Sequence, residues 1–238
     1  MKLDVLVFGA HPDDAEIGCG GTIAKLVSEG KKVGIIDMTR GELGSRGSAD
    51  LRDIEAQNAA KILGVEIREN LRFRDGFFVQ DETHQLDIIR KVRKYQPDVI
   101  LANAPSDRHP DHGRASKLVR DAVFLSGLRK IETEFEGKPQ KEWRPSKLFF
   151  YIQDYSLQPD FVVDISSWVE VKTSALAAFS SQFYDPGSDE PITYISTRDF
   201  WDFLDARARN MGHIIGATHG EGFISETPLK IHSPLDLI

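Results

Sequence analysis

Cysteine is nearly absent, with Cys19 the only one in 238 residues. A single thiol permits no internal disulfide, which fits a reducing compartment. Its glycine-rich surroundings suit a small buried residue, and no local base would activate it as a nucleophile. Long apolar runs are missing too, so no stretch approaches a membrane span, and Met1-Lys2-Leu3-Asp4 lacks the apolar region of a secretion signal. Cytoplasmic residence is the expectation. Positive charge is in deficit, 30 Lys and Arg against 37 Asp and Glu, for a net charge of −7. A nucleic-acid footprint would need the opposite balance, although a few local arginines could serve an anionic small molecule. Internal repeats and low-complexity linkers are also lacking, and one domain over residues 1–238 is expected.

What the chain does hold is a polar cluster directly behind an apolar run. Residues 3–8 read as a buried strand of a parallel sheet, and Gly9-Ala10 leads at once into His11-Pro12-Asp13-Asp14. Ligands bind at the carboxyl ends of strands in open α/β sheets. His11 and Asp14 are nitrogen and oxygen donors of the kind zinc takes, and Asp13 is a second carboxylate free for other work. Alternatively, Asp13 or Asp14 caps the following helix, with Glu16 complementing its dipole. A second cluster, Arg108-His109-Pro110-Asp111-His112, also follows an apolar strand, residues 98–102, and also precedes a helix. Capping must then be invoked twice, whereas a metal site shared by two neighbouring strand ends is invoked once.

These clusters, with Glu16 and the glycines behind it, resemble the zinc-dependent N-acetylglucosamine deacetylases of the LmbE/PIG-L type. Within that group the chain is most similar to the bacillithiol-biosynthesis deacetylases, which act on N-acetylglucosaminyl malate. The similarity extends to Gly220-Glu221-Gly222-Phe223. It implies His11, Asp14 and His112 as metal ligands for Zn2+, a donor set that can also hold Fe2+. Three protein ligands leave a coordination position for water, which zinc makes more acidic. Asp13 would be the general base. His109, oriented by Asp111 and protonated, would steady the oxyanion or deliver a proton to the departing amine.

Substrate binding falls to Arg52, Asp75 and Tyr194 by the same resemblance and to Arg108 by its place next to the site, the arginines suiting the malate carboxylate and Asp75 the sugar hydroxyls. Each has a plainer alternative: an Arg52–Glu55 surface pair, a turn role for Asp75, an Arg108–Asp107 pair, and Tyr184 in place of Tyr194. The implied reaction hydrolyses the N-acetyl group of a small N-acetylglucosamine conjugate, releasing acetate and the free amine. Relatives that form hexamers imply a homo-oligomer. One competing reading is a hydrolase of thiol conjugates like the mycothiol-conjugate amidases. Another is a non-catalytic Rossmann-like nucleotide-binding module, the poorer account because HPDD interrupts the would-be glycine loop.

The remainder reads as α/β, a Rossmann-like, mostly parallel sheet flanked by helices on both faces. Helices are expected over 16–29, 48–63, 84–95, 113–125, 166–183 and 196–212. Strands are expected over 32–39, 65–71, 98–102, 147–152 and 161–165, with 216–224 returning to the body. Ile54, Ala59, Ile62 and Leu63 are the expected packing face of their helix, and His84 is expected to be exposed. Two irregular stretches remain. Residues 129–144 read as a pocket lid or an oligomer contact, and 185–195 as a loop of the kind that covers active sites.

Overall fold

In the computed structural model, which describes residues 1–233 and 235, β1 (Val5–Gly9) lies inside a seven-stranded sheet. All its residues are buried, as covering on both faces requires. α1 (Asp14–Ser28) leads to β2 (Val33–Thr39), and α2 (Ala49–Leu63) to β3 (Ile67–Phe73), each strand parallel to the one before. α3 (Glu82–Tyr95) then carries the chain to the other side of β1, where β4 (Val99–Asn103) pairs Val5 with Val99 and Val7 with Leu101. α4 (Pro110–Ser126), a small hairpin of β5 (Glu134–Phe135) and β6 (Lys138–Pro139), and β7 (Lys147–Tyr151) follow, β7 lying parallel to β4. After β8 (Phe161–Asp164), a 3-10 turn, α5 (Val169–Ala177) and α6 (Arg198–Ile214), β9 (Gly220–Ser225) inserts antiparallel between β7 and β8. The sheet order is β3-β2-β1-β4-β7-β9-β8, the expected Rossmann-like arrangement. Its direction reverses between β1 and β4, which opens a crevice beyond their carboxyl ends.

Strand alternation explains the two cores. Leu6 and Phe8 of β1 face Ile88 and Val92 of α3 and Leu118 of α4, while Val5 and Val7 face Ile23 of α1, Ala59 of α2 and Leu176 of α5. Charge is buried beneath the second face: Arg68 donates to Asp37 at 2.7 and 2.9 Å and to Glu16 at 2.5 Å, all three side chains at most 3% exposed. No helix among the described residues is long and apolar enough to cross a membrane.

The glycine-rich segment has a packing explanation. A Cβ at residue 18 would lie 2.1 Å from the Tyr151 ring, and one at residue 21 would lie 2.8 Å from Ile165. Cys19 breaks α1 with a φ of −145°, which frees backbone groups on both sides of the break. Glu221 accepts from the N–H of Gly21 at 3.0 Å and of Thr22 at 2.7 Å, and Lys172 and Arg207 donate to the Ile17 carbonyl at 3.0 and 2.9 Å. Those N–H groups are the ones a phosphate would seek. A carboxylate already holds them, which argues against the nucleotide-binding alternative.

Several expectations need correction. α2 buries Arg52, Glu55, Ala56, Ala59, Ala60 and Leu63, a regular helical stripe, and leaves Ile54 and Ile62 59% and 42% exposed. Polar partners waiting inside set that rotation. The helix expected over 166–183 stops at Ala177, and Glu55 takes the Ser181 N–H and hydroxyl, both at 2.7 Å, which bends 180–183 towards α2. α4 starts at Pro110, because proline suits a first helical position and His109 caps it, so Asp111 and His112 lie in its first turn. His84 is half-buried, edge-on to Phe73 and bonded to Asp81 at 2.7 Å. Residues 129–144 are no pocket lid: Arg93 of α3 ties this stretch down through the Ile131 carbonyl and the Thr133 hydroxyl, and none of it lines the cavity described below.

Candidate active site

Both motifs emerge at the reversal. Asp14, at the start of α1, lies 3.6 Å from His11 Nδ1 and 3.2 Å from His112 Nε2. The His11 and His112 ring centroids are 5.6 Å apart. Strand ends fix the carboxylate between them: Asn103, last in β4, donates to Asp14 Oδ2 at 3.0 Å, and Gln153, just past β7, donates to Oδ1 at 2.5 Å. On each ring the second nitrogen is also engaged. His112 Nδ1 meets Asp107 at 2.7 Å, while His11 Nε2 meets Asp75 at 3.0 Å and lies 3.4 Å from Asp111. Carboxylates behind both rings thus turn one nitrogen of each towards Asp14, the arrangement by which metal-binding histidines are commonly oriented.

Sequence reasoning did not single out Asn103, Asp107 or Gln153. The available signal was a polar residue at or just beyond the carboxyl end of a strand. Asp107, expected as a partner of Arg108, instead orients His112.

Negative charge accumulates here out of water. Asp13, Asp14, Asp75 and Asp111 are all at most 6% exposed. Burial opposes a charged His112, but Asp14 and Asp107 outweigh it and push its pKa up to about 9. For His11 burial is likewise outweighed, by Asp111, Asp14 and Asp75, and its pKa rises well above the usual value. Burial raises Asp14, yet the two histidines hold it well below the carboxylate range. Such a set calls for a cation. Donor atoms of His11, His109 and His112 lie within 4.8 Å of one another, as do those of His11, Asp75 and Asp111, the two carboxylates lying on the Nε2 side of His11.

Asp13 does not cap α1. It makes no side-chain capping bond, and its φ of 112° is a strained value for a residue with a Cβ. Its carboxylate instead accepts from Arg52 Nη2 at 2.8 Å, and burial pushes its pKa up to about 7 despite that guanidinium. Arg52 also donates to the carbonyls of Pro12 and Gly41, so it holds Asp13 rather than pairing with Glu55, and it lines the cavity described below. Gly41 has φ +61°, and a Cβ there would lie 1.9 Å from Arg52 Nη1.

The expected orientation of His109 by Asp111 is also corrected. The Asp111 carboxylate faces Gly76 N–H at 2.8 Å, Arg114 at 2.5 Å and His11, because α4 begins early enough to turn it that way. His109 Nδ1 accepts from the Asp111 backbone N–H at 3.2 Å, which leaves its proton on Nε2. Burial, with His11 and His112 adding to it, lowers its pKa to about 4, so His109 is a neutral donor rather than the expected imidazolium. Asp75 is no mere turn residue, since it holds His11 and the Leu43 N–H.

These groups open into a cavity of about 410 Å3, within the range of small-ligand sites. Arg108 and Tyr194 line it, Arg108 lying over the Tyr194 ring at 4.1 Å with Nε 3.5 Å from Asp154. The rival Tyr184 does not line it.

Comparison with known proteins bears on this centre. The PIG-L family model, GlcNAc-PI de-N-acetylase, matches residues 6–123, the stretch that carries both motifs. The diacetylchitobiose deacetylase of Thermococcus kodakarensis is 33% identical over 229 residues, covering 92% of this chain and 80% of that one. The chain belongs to the PIG-L family. Among other PIG-L-like proteins, a 1D-myo-inositol 2-acetamido-2-deoxy-α-D-glucopyranoside deacetylase of Segniliparus rotundus is 29% identical over 179 residues, 59% of this chain and 55% of that protein. The solved structure of a conserved protein from Thermus thermophilus, TT1542, matches with a TM-score of 0.86 at 37% identity, over 98% of each chain. The two named activities place PIG-L membership on firmer ground than the bacillithiol branch, to which neither belongs by name.

Proposed function

We propose that this chain is a metal-dependent N-deacetylase of small N-acetylglucosaminides. One observation carries the reading: two histidines, each backed by carboxylate, converge on Asp14 beside an arginine-held Asp13 at the floor of a cavity. His11 Nδ1, Asp14 and His112 Nε2 would hold the ion, with zinc favoured and iron(II) the alternative. When bound, such an ion polarises the amide carbonyl and acidifies a water. Asp13, its carboxylate kept in place by Arg52, would accept a proton from the attacking water. His109 Nε2–H is the hydrogen-bond donor on offer to the developing oxyanion, and the proton gained by Asp13 is the one available to the leaving amine. Arg108 and Tyr194 face the aglycone.

N-acetylglucosaminyl malate remains the leading substrate, with Arg108 the guanidinium left to meet its carboxylate. A neutral second sugar, as in the compound named for the Thermococcus relative, is the second reading, because Asp154 beside Arg108 offsets its charge. The deciding experiment joins metal analysis to acetate release from N-acetylglucosaminyl malate, its inositol analogue and N,N′-diacetylchitobiose. About one metal per chain is expected, with release from one of these sugars abolished by a chelator and restored by zinc. No release from any of them by the metal-loaded protein rejects the reading, and release from thiol conjugates alone selects the amidase alternative.

Arg52→Ala separates two roles for that side chain. If it positions Asp13, kcat falls about 10²-fold on charged and neutral substrates alike, the loss typical of a misplaced catalytic group. A rise in KM confined to the malate conjugate would restore the carboxylate-binding role.

A further inference from the structure

Arg46 lies outside the groups assigned above, yet it is one of the most heavily bonded side chains near the cavity. It belongs to the loop between β2 and α2 and is 4% exposed. Nε donates to the Ser181 carbonyl at 2.8 Å, Nη1 to the Pro191 carbonyl at 3.0 Å, and Nη2 to the Ser188 hydroxyl at 3.0 Å. Its own carbonyl accepts from Gln182 at 2.9 Å, and the neighbouring Gly47 N–H reaches Glu190 at 3.4 Å. These partners span a segment with no helix or strand, from the end of α5 at Ala177 to the start of α6 at Arg198.

That segment needs an anchor. Its middle is exposed, Ile192 at 85%, and its internal bonds are short-range turns such as Ser188 to Asp185 and Thr193 to Ser196. Among the described residues, the hydrogen bonds that join 184–192 to the rest of the chain run to Arg46 and Gly47. The next residues, Thr193, Tyr194 and Ile195, line the cavity, and the loop of Arg46 supplies Leu43, Gly44 and Ser45 to the same lining. A planar guanidinium can hold several carbonyls at fixed angles, and an ammonium cannot reproduce that fork.

We propose that Arg46 is a positioning residue that sets substrate selectivity: by pinning 181–191 to the 40–47 loop it fixes the wall bearing Tyr194 and so the shape of the aglycone site. Only the kinetic part of this proposal rests on the deacetylase reading. The pinned segment is a property of the fold.

The test uses the full-length metal-loaded protein with Arg46→Ala and Arg46→Lys. Hydrogen exchange should quicken in 184–195 while protection of β1, β2 and β4 stays at the wild-type level. On whichever N-acetylglucosaminide the wild type hydrolyses best, KM should rise about tenfold with a smaller change in kcat, and the ratio of activities on large and small aglycones should shift. Millimolar guanidinium ion should restore part of the KM of Arg46→Ala and none for Arg46→Lys, whose side chain still fills the slot. Unchanged exchange in 184–195, or loss of protection throughout the central sheet of both variants, overturns the proposal. Faster exchange there with unaltered KM and selectivity overturns its kinetic part. If the wild type hydrolyses no sugar tested, the exchange data still decide the pinning, while the deacetylase reading falls by itself.

Discussion

Asp13→Asn lowers kcat by about 10²- to 10⁴-fold, the usual contribution of a positioned general base, and leaves the metal content at the wild-type level. Asparagine is the informative replacement because it keeps the size of the side chain, tolerates positive φ better than most residues and removes only the ability to take a proton. Asp13 holds its position at the cost of a backbone φ of 112° and of nearly complete burial. Its side chain makes no cap that would offset either cost at the start of α1. Its partner is Arg52, and its neighbours are the groups assigned to the metal. Metal content by plasma emission and kcat by acetate release together decide the matter. Metal lost in parallel with activity would make Asp13 a ligand, and activity within tenfold of wild type would remove it from the reaction.

Arg68→Met destabilises the protein by about 3–5 kcal/mol, the usual cost of leaving buried charges without a partner. Total stability of a domain is about 5–15 kcal/mol, so this one change consumes a large part of it. Asp37 and Glu16 share the guanidinium beneath α1 and α2, and burial alone would already raise the pKa of Glu16. Urea unfolding at neutral pH measures the loss. A triple replacement, Arg68→Met with Asp37→Leu and Glu16→Leu, recovers most of it, because a buried ion cluster is often no more stable than an apolar one of similar volume. A loss under about 1 kcal/mol for Arg68→Met would show that the cluster is hydrated or that its acids are protonated in the folded state.

The ion cluster also shows where sequence reading stopped. Glu16 follows the first motif and reads as a residue placed for a helix dipole, and Arg68 reads as one polar residue in a short strand. Their partnership depends on Arg68 of β3 reaching past Asp37 of β2 to the first turn of α1, which no local pattern announces. α2 teaches the same lesson from the other side. Its apolar residues suggested that Ile54 and Ile62 face inward, whereas Arg52 and Glu55 do, because Asp13 and the serines at 180 and 181 lie there. The orienting residues Asp107, Asn103 and Gln153 were hidden for a similar reason: each acts on a side chain from another strand end or an adjoining turn.

Sequence by itself determined the order of the main strands and helices, though not the small hairpin of β5 and β6, and with it the two histidine–aspartate clusters and their place behind apolar strands. These are local matters, set by periodicity and by what may follow a buried strand. Only the tertiary structure decided which nitrogen of each histidine faces Asp14, that Arg52 holds Asp13, that burial lowers the pKa of His109, and that Arg46 bonds to Ser181, Ser188 and Pro191. Those outcomes depend on which groups compete for one another once water is excluded, and that competition exists only after segments far apart in the chain have been packed together.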